Sequence, residues 1–248
     1  MDSFQQKKET YFDIVESWKI FPQLLMSTGR DIPLWFSKRG VKGWSGLVVF
    51  FLSVGVSYQY RWQLQEFFVG SNDGFAESLA RVGRYFGDGI SVAVAVLVLF
   101  LMGIAWKKKT LAETSLVLAV AGLYCGVLTS LGQFILAEAR PESGGELAFF
   151  KMGGHGISGH SSSSAVLFFP LYGVLGSKLN KRQQLMLGGG LLFWAGMVAW
   201  SRMWDNKHFL WNVMLGSSIG FFTGYIALRS WLNIKGNHSR PLIPPNFS

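Results

Sequence analysis

Residues Gly156 to Gly176 read GISGHSSSSAVLFFPLYGVLG: a histidine and four serines set against the start of a long apolar run. Two readings compete for the polar part. It is a helix cap at a membrane surface, or it is one piece of a reactive site at that surface. The apolar part belongs to a wider pattern. Of 248 residues, 50% are hydrophobic and only 15% charged, and the charges gather between long charge-free windows instead of punctuating every turn. That is the composition of a membrane protein.

Six such windows occur, Gly43 to Tyr60, Gly89 to Trp106, Thr114 to Ala137, Met152 to Ser177, Gln183 to Ser201 and Phe209 to Leu228. Each is close to the about 20 helical residues that cross a hydrocarbon core. The fourth begins with a polar, Gly-rich stretch, so its spanning part is expected from Ser161. The expected class is therefore all-α, a polytopic membrane protein of six helices. Residues 1–43 form an N-terminal segment, 44–232 the helical domain and 233–248 a tail rich in proline at Pro241 to Pro245. Tyr11, Ile14, Val15, Trp18, Phe21 and Leu25 recur at helical spacing. They form either an amphipathic helix lying on the membrane or a surface helix packed on the bundle.

Basic residues set the orientation. With both termini cytoplasmic, the inner segments hold 16 of the 23 lysines and arginines. The outer segments hold Arg61, Arg81, Arg84, Arg140, Lys151, Arg202 and Lys207. The formal charge of +9 is then a topology signal and an attraction to anionic lipid headgroups, and calls for no nucleic acid. The single cysteine, Cys125, cannot form an intramolecular disulfide. Gly188 to Gly190 read as a close helix approach rather than a phosphate cradle.

Three of the four histidines fall in two outer loops, with Arg140 and Arg202 at the span boundaries. Arginine forks match phosphate oxygens bidentately and stay charged. One imidazole can attack phosphorus while another protonates the leaving oxygen, both near the working pH of histidine. Ser158 and the Gly159 amide add donors. This is a kit for holding and transferring a phosphoryl group.

Arg140-Pro141, Ser158-Gly159-His160 and Ser201-Arg202, then five residues, then His208, resemble the three-part signature of the type 2 phosphatidic acid phosphatases. That superfamily also contains the vanadium haloperoxidases, but six apolar spans suit a lipid better than a soluble oxidation. The resemblance covers about Gly87 to Trp231. It implies that His208 is the nucleophile forming a phosphohistidine and that His160 is the acid that protonates the leaving group and then activates water. Arg140, Ser158, Gly159 and Arg202 would bind phosphate, without metal or other cofactor. It also implies a site on the outer face, here the periplasmic side of a bacterial inner membrane. The substrate would be a lipid phosphomonoester or diphosphate, with phosphatidic acid, phosphatidylglycerol phosphate, polyprenyl diphosphate and lipid A phosphates presenting the same group.

The sequence departs from the signature in three places. Gln133 stands where the family carries lysine, so that contact loses its charge, and Lys151 in the same loop is a candidate replacement. Ile157 replaces the proline before Ser-Gly-His and removes no chemistry. Asn212 replaces the aspartate that normally accepts the second N–H of the nucleophilic ring; its amide oxygen can accept that bond, but the charge is lost. Two alternatives to a phosphatase follow: a phosphotransferase using the same site, or an impaired lipid-phosphate-binding protein. Glu138, Glu142 and Glu146 are expected to face solvent or pair with cations. Asp205 is expected to cap a helix or touch the headgroup, Arg81 and Arg84 to lie on an interfacial helix, and His155 to be a loop residue. The binding-protein reading predicts no turnover and no gain on Asn212→Asp; a large gain in phosphate release from that substitution, abolished by His208→Ala, would exclude it.

Overall fold

A computed structural model of the chain describes residues 15–38, 40–70 and 74–236. Tyr11, Ile14 and the prolines at 241–245 lie outside them. About 81% of the described residues are helical, so the class is all-α with one small ribbon. The helices are α1 (Phe21–Ser37), α2 (Val41–Gln59), α3 (Arg61–Phe68), α4 (Gly74–Phe86), α5 (Gly89–Ala105) and α6 (Lys109–Ile135). The strands β1 (Leu136–Glu138) and β2 (Leu147–Phe149) pair antiparallel, with Ala137 opposite Ala148. Then come α7 (Gly159–Ala165), α8 (Lys181–Trp204) and α9 (Leu210–Ile234).

Two helices, α6 and α8, are long and apolar enough to cross a membrane, and α4 with α5 makes a third candidate if that pair, bent by 69°, is one span. Residues Gly43–Gln59 of α2 are apolar but shorter. α9 is 25 residues long, yet Asn212, Thr223 and Ser230 interrupt its apolar character. The fourth window does not form one continuous helix. After α7 the chain winds through short helical turns and a π-turn at Leu171–Leu175. Pro170 lies where this change occurs, and its missing N–H and bulky ring are incompatible with an uninterrupted α-helix. Apolar side chains face outward on α2, α5 and α8, including Val49 at 63% exposed, Leu97 at 56% and Phe193 at 67%. Faces of this kind are compatible with hydrocarbon as their solvent.

The core lies among α6, α9 and the broken fourth segment, where Leu116, Val120, Val166, Val174, Ala227 and Leu228 are buried together. Glycines decide how close these elements come. A Cβ on Gly216 would sit 2.4 Å from the Ser158 carbonyl oxygen, one on Gly220 2.2 Å from that of Ser162, and one on Gly224 2.9 Å from that of Val166. The stripe recurs every four residues along one face of α9, so the backbone of residues 158–166 packs directly on it.

At the other side of the site, α4 folds over the end of α8. Gly83 approaches Ser201, and Gly70 lies against the Trp204 ring. α4 is amphipathic: Glu77, Ala80 and Gly83 are buried while Phe75 and Tyr85 are exposed. Arg81 and Arg84, expected on a helix before the second apolar window, both lie on it.

The glycine stripe predicts a specific sensitivity. Gly220→Ala forces a methyl group into a backbone oxygen and should cost about 1–3 kcal/mol, the usual scale of overpacking. Gly196→Ala, which meets nothing within 4 Å on α8, should leave the melting temperature unchanged or raised. Thermal unfolding of the two variants in detergent checks the contrast.

Candidate active site

The SR-to-H spacing is fixed by a tight turn at the end of α8. The Arg202 carbonyl accepts from the backbone N–H of Lys207 at 3.0 Å and of His208 at 3.3 Å. Asn206 supplies the left-handed residue that closes the turn, at φ 55°, a conformation asparagine tolerates better than most residues. His208 is thereby held over Arg202 and just before α9.

His160 enters from the first turn of α7. Ser158 caps that helix: its Oγ accepts from the Ser161 N–H at 3.3 Å and the Ser161 hydroxyl at 3.0 Å. Ser158 is fully buried, and its own N–H donates to the Asn212 carbonyl at 3.1 Å. The polar run is therefore a cap at Ser158. Ser162 and Ser164 instead donate back to the Gly159 and Ser161 carbonyls. Gln133 Nε2 donates to the Ile157 carbonyl at 2.8 Å, bracing the loop beside Gly159. The His160 Nε2 lies 3.2 Å from the Arg84 carbonyl. A carbonyl only accepts, so Nε2 carries hydrogen and Nδ1 is the position where a second proton comes and goes.

The arginines are held by carboxylates. Asp205 accepts from Arg84 Nε at Oδ2, 3.0 Å, and from Nη2 at Oδ1, 2.5 Å, and Arg202 Nη1 stands 3.1 Å from the same Oδ2. Asp205 thus follows the end of α8 and ties two arginines together, rather than capping a helix start. Arg140 Nη1 lies 3.6 Å from Glu142, which also takes Lys207 at 2.6 Å. The Nε atoms of Arg140 and Arg202 are buried with no hydrogen-bond partner among the described residues. An anion would satisfy such donors.

This cationic, dry setting acts on the histidines. His208 is pushed down to about 3, first by burial and then by Arg202, His155, Arg140 and His160. His160 is lowered by burial and Arg202, against the Arg84 carbonyl and the carboxylates of Asp88 and Asp205. Both rings are neutral near pH 7. His155, which sequence reading left as a loop residue, lies edge-on to His208 with ring centroids 6.5 Å apart. Together with Arg140 and Lys151 it lines a polar cavity of about 530 Å³.

Two expectations change. Glu138 does not face solvent but is 1% exposed; it accepts from Asn212 Nδ2 at 2.8 Å and, as the alternative expectation had it, pairs with a cation, Arg61 Nε at 4.0 Å. Burial pushes its carboxyl up to about 7, against Asn212 and Arg61. Asn212 gives its amide oxygen to the Phe209 N–H at 2.7 Å and its second Nδ2 hydrogen to the Gly156 carbonyl at 2.8 Å. His208 Nδ1 is buried without a hydrogen-bond partner among the described residues.

The end of α8 with the turn after it supplies Arg202 and His208, the start of α7 supplies His160, and Arg140 is near enough to act electrostatically on His208 and Arg202, so the three sequence motifs meet in one place. The PAP2 superfamily model matches residues 111–235, half of the chain, and takes in all three motifs. The chain belongs to the PAP2 superfamily. No curated protein and no solved structure matches it. Superfamily membership supports a phosphatase-type activity, a phosphoric ester hydrolase in the broad sense.

The depressed His208 carries a stability consequence. Unfolded, the ring protonates near about 6.5; folded, it protonates only near 3. The folded state therefore loses stability as pH falls from 6.5 toward 3, by at most about 1.4 kcal/mol per pH unit. In His208→Asn the acid arm of a melting-temperature profile should flatten, while the profile above pH 7 keeps its shape.

Proposed function

We propose that this chain is an integral membrane lipid-phosphate phosphatase that works through a phosphohistidine. The observation that carries this reading is the neutral, buried His208 held beside two arginines with unpartnered Nε atoms. A nucleophile must present a lone pair, and the arginines keep the ring unprotonated while drawing phosphate to it. Because Nδ1 is the inward, buried nitrogen, Nε2 attacks phosphorus. The P–O bond to the alcohol breaks, and His160, protonated through Nδ1 once the phosphate's charge offsets the arginines, gives its proton to the leaving oxygen. The same Nδ1 then takes a proton from water as that water attacks the phosphohistidine, releasing inorganic phosphate and regenerating His208. Arg140 and Arg202 hold the equatorial oxygens throughout. The Gly159 amide at the start of α7 is the further donor.

The lipid part of the reading is supported by an apolar groove of about 430 Å³ lined by Trp18, Phe21, Val92, Val96, Leu123 and Val166. Ser163, one turn beyond His160 on α7, and Gly89 also line it. A Cβ on Gly87 would lie 3.3 Å from the His160 ring, so the groove begins beside the acid. A hydrocarbon chain lying there leaves its phosphate at the polar end. Six spans, both termini cytoplasmic and the site on the periplasmic face of a bacterial inner membrane complete the proposal, supported by the excess of Lys and Arg in the inner segments.

Phosphate release from phosphatidic acid in mixed micelles containing EDTA tests it. His208→Ala should abolish release and the acid-labile phosphoenzyme. His160→Ala should lose about 10²–10⁴-fold on the alkyl ester. It should lose far less on p-nitrophenyl phosphate, whose leaving group needs no proton. Transfer of label to a second lipid in place of water would instead identify a phosphotransferase. Binding without turnover in parent and variants would identify a binding protein.

A further inference from the structure

Glu138 is a fully buried carboxylate beside the site that the reaction above does not use. Its side chain reaches Asn212 and its backbone carbonyl accepts from the His155 N–H at 2.9 Å. A single residue of β1 thus ties together the loop of His155 and the start of α9. Its Oε1 makes no hydrogen bond of ordinary geometry among the described residues; only Arg61 Nε at 4.0 Å and the Trp211 indole, both likewise unpartnered, act on that side of the carboxylate. Burying a carboxylate so incompletely satisfied is costly, and an apolar or neutral residue of similar shape would fold at least as well. Stability alone does not account for it.

The fully occupied amide of Asn212 shows what the carboxylate does. Both Nδ2 hydrogens are taken, one by Glu138 and one by Gly156, so the amide cannot flip. Its oxygen therefore points at the Phe209 N–H, next to His208 in the chain. A carboxylate drawing on the N–H end of an amide polarises it and makes its oxygen a stronger acceptor. The superfamily signature has an aspartate at this position, whereas here Asn212 is neutral and a carboxylate stands directly behind it.

We propose that Glu138, acting through Asn212, is the positioning residue that supplies His208 with the negative support that the neutral Asn212 amide does not itself carry. In this relay the oriented amide oxygen accepts the His208 Nδ1 hydrogen as the ring becomes phosphorylated and positive. Such bonds are commonly long in the empty site and close only with substrate. The inference rests on the phosphohistidine reading and adds the residue that supports it.

Charge position is the test, read on phosphatidic acid in mixed micelles with the full-length protein. Glu138→Gln keeps the shape and an acceptor for Asn212. It should lower kcat about 10–100-fold, the scale for groups that act behind a catalytic residue. KM should stay nearly constant and the melting temperature unchanged or higher. Asn212→Asp alone should also lose activity, because it removes both donor bonds and sets a second carboxylate against Glu138 and the Gly156 carbonyl. Combining the two returns a donor at 138 and a carboxylate at 212, and the double variant should be more active than either single one.

Parent-level kcat in Glu138→Gln, or a large gain from Asn212→Asp alone, overturns the proposal. So does a double variant, folded by its melting transition, that is no better than the singles. Turnover that survives in His208→Ala instead removes the phosphohistidine reading itself.

Discussion

The backbone of residues 158–166 lies in contact with α9, and nearly everything in the site follows from that contact. Gly216, Gly220 and Gly224 leave no room for a methyl group between the helix and the carbonyls of Ser158, Ser162 and Val166. The approach fixes the height of α7 along α9. His160, on the first turn of α7, and His208, just before the first turn of α9, are brought to the same end of the bundle. The Ser158 N–H bonding the Asn212 carbonyl pins the register from the polar side. In lipid, where apolar burial gives helices little reason to associate, a small-residue contact with a polar lock is the kind of interaction that can hold such a register.

The polar end carries the cost of this arrangement. Arg202 and Asp205 are nearly buried, Glu138 wholly so, and several of their atoms lack partners. An incompletely paired buried charge destabilises a fold unless neighbours offset it. Asp205 does so by taking Arg202 and Arg84 together, which also fixes the Arg84 carbonyl that orients His160. Ion pair and ring orientation are one construction: α4 is bent back over α8 so that a single arginine contributes its guanidinium to Asp205 and its carbonyl to His160.

The sequence made part of this legible. Motif residues with fixed local spacing were readable because one turn decides their geometry: SR, five residues and H become a single loop closed on the Arg202 carbonyl. Apolar windows were readable as helices, although Pro170 breaks one of them. Contacts across the chain were not readable. Glu138 looked like any carboxylate beside an arginine, since its burial depends on Asn212, 74 residues away, and on Arg61. Asp205 shows no sign of Arg84, and His155 has no local partner to mark it. Gln133 and Ser158 were read as phosphate contacts by position, whereas the hydrogen bonds that fix them are to the loop backbone and to α7. The local signal named the candidate reacting groups; the groups that hold them come from tertiary structure.

The same field that draws phosphate also sets the order of events. Burial first, then Arg202, His155 and Arg140, keeps protons off His208, and burial with Arg202 keeps them off His160. That state suits a nucleophile and leaves the acid unready. An arriving phosphate brings two negative charges against those arginines and changes the balance for both rings. His208, nearly sealed from water, stays poor at gaining a proton, whereas His160, with Asp88 and Asp205 already acting in favour of its charged form, regains one more readily. On the proposed phosphohistidine reading, the substrate completes its own acid catalyst while the nucleophile remains free. Neutral lipids that fill the apolar groove without an anion cannot bring the site to that state, so selectivity for a phosphate lies in the electrostatics as much as in the fit.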